Sequence, residues 1–154
     1  MALRNRDKNL RVIRSLRAYR SFDHYNRSVL ERRTLLAEAA QPNAAIGFTD
    51  YKQKDKLPVR RRELRRAAAA PKHNPFNTYY RTELFPRIDA LSPKIIGLSL
   101  IYLSQALTTF ALIGLLRRAF PNAKLIVGGG LVTSWMSQPG WSNPFADLID
   151  EMIP

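Results

Sequence analysis

The 154-residue sequence contains no cysteine. That excludes disulfides and any thiolate-held metal or iron–sulfur cluster within these residues, and a reducing, cytoplasmic location is expected. Histidine is almost missing too: His24 and His73 are the two in the chain. A metal site needs several donors gathered together, so none is expected, and His24, beside Asp23 and aromatic residues, reads as packing or surface. Acidic residues are scarce, with 12 Asp+Glu against 25 Lys+Arg and a net charge of +13. The first twenty residues lack an uninterrupted apolar core, which excludes a secretory signal there.

One long stretch lacks charge altogether. Residues 95–116 run for 22 positions without a Lys, Arg, Asp or Glu, and about 20 apolar residues suffice to cross a bilayer. A single membrane span, with the basic segment before it on the cytoplasmic side, is therefore one reading. Ser99, Tyr102, Ser104, Gln105, Thr108 and Thr109 interrupt the run where a strand-to-helix loop would fall, so a non-membrane α/β domain is the reading preferred.

What is present is organised around residues 93–130. After Pro93, Lys94 to Ile101 form a nearly continuous apolar run, as in a strand buried on both faces. A long apolar helix follows, carrying Leu107, Phe110, Ala111, Gly114 and Leu115 on one face, widened by Leu112, Leu116 and Phe120. A second strand, Lys124 to Val127, ends in Gly128, Gly129 and Gly130. Strand, crossover helix and parallel strand form the unit of a doubly wound sheet, so the fold class expected is α/β, a partial doubly wound, Rossmann-like parallel sheet. Ligands of such sheets sit at the carboxyl ends of the strands. That places Ser99, Ile101, Tyr102, Ser104, Gln105, Gly128, Gly129, Gly130, Thr133 and Ser134 at the candidate binding edge. Glycines after a strand also serve plain βα turns, and capping explains Thr133 and Ser134 equally well. No G-x-G-x-x-G and no G-K-[ST] is present, so a dinucleotide or nucleoside triphosphate site is not expected.

Ser99-Leu100-Ile101, followed after Tyr102 to Val127 by Gly128-Gly129, resembles the S-x-L and G-G pair of cobalamin-binding domains. The text around it, NPF at Asn74, GLSLIYLSQAL, LRRAFP, GGGLVTSW and FADLIDEMIP, is similar to the amino-terminal domain of cobalamin-binding radical S-adenosylmethionine proteins. The resemblance covers residues 74–154. It implies that Ser99, Gly128 and Gly129 line the slot for the nucleotide tail of cobalamin. The family's D-x-H-x-x-G motif, whose histidine ligates cobalt, has no counterpart around residues 50–57, so no protein ligand to cobalt is implied. The family's iron–sulfur cluster and S-adenosylmethionine would belong to a radical S-adenosylmethionine catalytic domain that these residues do not include. The chain ends just before the family's G-x-G-E turn, and is read as a truncated accessory portion without turnover of its own.

Charge divides the chain. Residues 1–71 hold 18 Lys+Arg against 7 Asp+Glu, and residues 72–154 hold 7 against 5. The expected domains are a basic, mainly helical extension and linker over 1–71 and an α/β domain over 72–154, incomplete at its C-terminus. In the extension, Arg or Lys at 4, 6, 8, 11, 14, 17 and 20 form a broad helical stripe that suits phosphates, lipid headgroups or an acidic partner, although a simply solvated helix is the commoner outcome of such a pattern. Ser21 is the expected cap of a second helix, with Phe22, Tyr25, Val29 and Leu36 along one side, ending in a turn at residues 41–43. Residues 44–51 suit a short edge strand or a loop, and would have to provide any first strand of the sheet. The run through Arg60, Arg61, Arg62, Arg65 and Arg66 has high helix propensity and little apolar face, so an exposed helix or basic linker is expected.

A helix capped by Asn77 or Thr78 and running over Tyr79 to Leu91 should kink or break near Phe85, because Pro86 lies inside it. Residues 145–149 read as a weak third strand, and Asp147, Asp150 and Glu151 as strand-end solvation. The apolar crossover helix asks for cover from a catalytic domain or a second copy of the chain, making a homo-oligomer a candidate partner state. The rival to the cobalamin reading is a basic nucleic-acid-binding or interaction adaptor. It rests on the first half of the chain, with unspecific contact expected because the arginine run has no interleaved aromatics to stack bases.

Overall fold

The computed structural model describes residues 5–40, 44–48 and 50–154, arranged as two compact units, Met1–Lys54 and Asp55–Pro154. The division falls at Lys54, ahead of the charge boundary near Pro71, so the arginine-rich helix belongs with the α/β unit.

In the first unit, helices α1 (Arg6–Ile13), α2 (Arg17–Arg20) and α3 (Phe22–Ala39) precede a hairpin of β1 (Ala44–Ile46) and β2 (Tyr51–Gln53). Ser21 caps α3 as expected: its backbone is extended and its hydroxyl accepts from the His24 N–H at 3.4 Å. The turn expected at 41–43 lies outside the described residues, as does Thr49. The hairpin is antiparallel, with Ala44 opposite Gln53 and Ile46 opposite Tyr51. It forms a sheet of its own, so the 44–51 region supplies no first strand to the parallel sheet.

The second unit is built from α4 (Arg61–Ala69), α5 (Asn77–Tyr79), α6 (Phe85–Leu91), β3 (Ile95–Ser99), α7 (Ala106–Ala119), β4 (Lys124–Gly128), α8 (Gly130–Met136) and β5 (Glu151–Met152). Its sheet has the order β3-β4-β5 and is parallel throughout, with Ile95 opposite Lys124, Ser99 opposite Gly128 and Val127 opposite Met152. Both crossovers advance in one direction across the sheet, and the right-handed rule then sets their helices on a single face. That face carries Leu125, Val127 and Met152, all buried. The opposite face is open: Ile95 is 59% exposed and a side chain placed on Gly97 would meet nothing within 4 Å. The charge-free run of 95–116 is thus split between β3, a short 3-10 turn at Leu103–Gln105 and the 14-residue α7. No helix among the described residues is long and apolar enough to cross a membrane.

Helix α4 is the largest departure from expectation. Rather than an exposed basic segment, it is a second helical layer on α7, with Leu64, Ala67 and Ala68 buried. The reason is the alanine run: short side chains let two helix backbones approach closely. At the crossing, a Cβ on Gly114 would lie 2.7 Å from the Ala68 carbonyl carbon and 2.8 Å from its Cα. Arg118 of α7 closes the contact by donating to the Ala68 and Ala69 carbonyls at 2.7 and 3.4 Å, groups that the end of α4 leaves without helical partners.

The expected helix over 79–91 forms as α5, a π-type turn at Tyr80–Leu84, and α6. Pro86 has no N–H to give, and the chain absorbs that loss in the widened turn immediately before it. Neither Asn77 nor Thr78 caps this helix; the residue before it is Phe76, with no side-chain cap. The third strand also lies later than expected. Residues 145–149 are turned back because Asn143 Oδ1 accepts from the Phe145 N–H at 2.9 Å, and the Leu148 and Ile149 N–H groups both donate to the Phe145 carbonyl at 2.8 Å. Phe145 and Ile149 fill the core instead, Phe145 standing edge-on to Phe110 at 4.5 Å.

Candidate functional site

The carboxyl edge of the sheet is where the two strand ends and the glycine cluster meet. Ser99 and Gly128 are direct cross-strand neighbours, and the Leu100 N–H continues the ladder to the Gly128 carbonyl at 2.7 Å. The three glycines have different causes. A side chain on Gly128 would strike Ile153, with Cγ1 at 2.8 Å. Gly129 sits at φ 104°, a conformation that favours glycine, and a Cβ there would lie 2.8 Å from the Leu100 carbonyl and 3.0 Å from Ser99 Oγ. These two positions are glycine because the chain's own β3 end and C-terminal strand occupy the space. Gly130 differs: it is exposed, and the nearest atom to its Cβ position is the Ile101 carbonyl at 3.8 Å.

Around the glycines, Ser99, Ile101, Tyr102, Thr133 and Ser134 are exposed and Ser104 is half-buried. Two of the expected polar residues are engaged internally. Gln105 Oε1 accepts from the N–H groups of Ile101 and Tyr102 at 3.4 and 3.3 Å, holding the turn that starts α7. Thr133 Oγ1 donates back to the Gly129 carbonyl at 3.2 Å within α8. The structure therefore brings Ser99, Gly128 and Gly129 together, leaves Ser99, Tyr102, Gly130 and Ser134 facing outward along the same edge, and uses Gln105 and Thr133 to hold the loops.

The carboxylates at the other end of the sheet are ion-pair partners, which corrects their reading as strand-end solvation. Asp147 receives both Arg65 terminal nitrogens at 2.8 Å, tying α4 to the 144–147 loop, and Arg65 also donates to the Pro144 carbonyl. Asp150 accepts from Arg117 at 2.8 Å and from the Leu125 N–H at 2.6 Å, linking α7 to the start of β4 and β5. Glu151 pairs with Lys124 at 2.6 Å. The Arg65 guanidinium holds the Asp147 carboxyl below the ordinary carboxylate range, and Arg117, then the Leu125 N–H, does the same for Asp150. No group of three or more metal-ligating side chains occurs among the described residues. Sequence reasoning missed these pairs because each joins a basic side chain to a carboxylate 27 to 82 positions away.

No family model, no curated protein and no solved structure shows a significant match to this chain.

Proposed function

We propose that the α/β unit is a cobalamin-binding-like accessory domain, holding the nucleotide tail of a corrinoid at the carboxyl edge of its sheet for a radical S-adenosylmethionine catalytic domain outside these residues. The observation that carries this reading is the pairing of Ser99 with Gly128 beside the open backbone at Gly130, at the edge where α/β sheets receive ligands. The Ser99 hydroxyl would hydrogen-bond the tail, while Gly130 and Ser134 would let it lie against bare backbone. Bound cobalamin supplies methyl-transfer or radical chemistry; these residues bind and orient it, and no side chain here is assigned to cobalt. In a doubly wound arrangement, the open face of the sheet would receive a second helical layer.

Titration with hydroxocobalamin tests the proposal through corrinoid absorbance and the melting temperature of the chain. Both should shift. Gly130→Val should abolish the response with little loss of stability, because a Cβ there meets Ile101 only at ordinary contact distance, 3.8 Å or more, and Ser99→Ala should weaken binding about fivefold, the worth of one hydrogen bond. An unshifted titration, or a Gly130→Val variant that responds like the parent, overturns the reading.

The rival reading, nucleic-acid binding by the first unit, is favoured by one observation. Tyr19 and Phe22 are 89% and 76% exposed next to Arg20, giving base-stacking surfaces that the arginine run of α4 lacks. It predicts single-stranded oligonucleotide binding that falls steeply with salt and is weakened further by Phe22→Ala at fixed salt.

A further inference from the structure

Between α1 and α3, within the first unit, lies a cavity of about 580 Å3 that the corrinoid reading does not use. Its lining includes Lys8, Asn9, His24, Arg27, Ser28 and Glu31. The centre of this helix contact is polar. Asn9 and Ser28 are only 7% and 4% exposed, the Ser28 hydroxyl donates to Asn9 Oδ1 at 3.5 Å, and Asn9 Nδ2 donates to Glu31 Oε2 at 2.7 Å. Asn5 Nδ2 reaches the same carboxylate oxygen at 3.2 Å. Two helices that needed only cohesion would bury apolar groups here, since each buried polar group has to be matched by a partner at a desolvation cost. Instead the contact holds an amide, a hydroxyl and a carboxylate in fixed orientation beneath an open volume. The two amides also keep the Glu31 carboxyl below its ordinary range, so it stays an acceptor.

The lining has two chemical ends. Lys8, His24 and Arg27 are exposed donors, with two permanent cations set against the single carboxylate of Glu31. A neutral polyol would leave that positive excess unmatched, and so would a zwitterion. A phosphate monoester, at about −1.5 to −2 charges, pairs with the two cations, Lys8 and Arg27, while the Asn5 and Asn9 amides already engage Glu31. Its hydroxyl groups find acceptors in Glu31 and Asn9. The volume lies within the roughly 300–1,000 Å3 of small-molecule sites. From this we infer that the α1–α3 cavity binds a small hydroxylated phosphate monoester, its phosphate among Lys8, His24 and Arg27 and its hydroxyls toward Glu31.

The experiment is a titration of the full 15N-labelled chain with ribose 5-phosphate, with ribose and inorganic phosphate as separate arms. Saturable shifts concentrated on residues 5–12 and 24–31 are expected. Ribose should be silent at the same concentrations and inorganic phosphate should bind more weakly than the ester. Arg27→Ala should weaken binding roughly tenfold through loss of a charge-assisted contact. Arg87→Ala, which removes a cation from the other unit, should change nothing. Shifts spread without saturation over the basic surface, an equal loss in the two arginine variants, or ribose binding as well as its phosphate would each overturn the inference. Should Arg27→Ala fail to fold, the shift map of the unaltered chain decides alone. Corrinoid binding is read by absorbance, so the two sites succeed or fail separately.

Discussion

At Gly129 the backbone is left-handed and already pressed against Leu100, whereas one residue later Gly130 is open. Gly129→Ala should therefore lower stability by about 1–3 kcal/mol in urea denaturation, and Gly130→Ala should leave it within about 0.5 kcal/mol. Equal effects at the two positions would mean that the φ of 104° is not maintained in solution. Any loss of ligand response in a Gly129 variant is thus confounded with loss of fold, which is why Gly130 is the position to block. Asp150 allows a test in pH. Its native carboxyl titrates below the ordinary value of 3.8, so its contribution is complete above that value and is lost as pH falls through the lowered one. Asp150→Asn, which keeps an acceptor but removes the charge, should be less stable than the parent at pH 7, and the gap should close below about pH 4. A gap that persists unchanged into strong acid would show that the carboxylate is not held by Arg117.

Elements were legible in proportion to how far their signal was local. The apolar run of β3, the crossover helix α7, the strand β4 before its glycines and the Ser21 cap each declare themselves within a few residues. Helix α4 did not, because its cohesion comes from a partner fifty positions along the chain: Ala67 and Ala68 carry little hydropathy, and only the matching glycine at 114 turns them into an interface. β5 was misplaced for a related reason, since the Asn143 side chain turns a strand-like run before it can pair. Of the candidate site, the Ser99–Gly128 pairing was readable from spacing. The internal duties of Gln105 and Thr133, and the filled space beside Gly128 and Gly129, depend on atoms brought in from other elements. If α4 is structural, Leu64→Ala should cost about 2–5 kcal/mol, as for other fully buried leucines, measured by thermal or denaturant melting. A loss below about 0.5 kcal/mol would return the helix to an exposed role.

For the molecule as a whole, the division at Lys54 redistributes charge as well as chain. Residues 1–54 hold 12 Lys+Arg against 5 Asp+Glu and residues 55–154 hold 13 against 7, so the imbalance seen at Pro71 does not separate the two units. Arg65, Arg66 and Arg118 are spent on Asp147, Glu63 and the end of α4. A fragment of 55–154 should accordingly unfold in one cooperative transition, and a fragment of 72–154, stripped of α4, should show none by calorimetry. Cooperative melting of the shorter fragment would place the boundary at Pro71 after all. The crossing of α4 and α7 also constrains how this sequence can drift. A methyl group gained at 114 meets main chain, so no trimming of the side chain at 68 makes room for it. Relief would require sliding one helix along the other, pulling Arg118 off its carbonyls and Arg65 off Asp147 together. Homologues that keep this layer should accordingly retain glycine at 114 and a small side chain at 68.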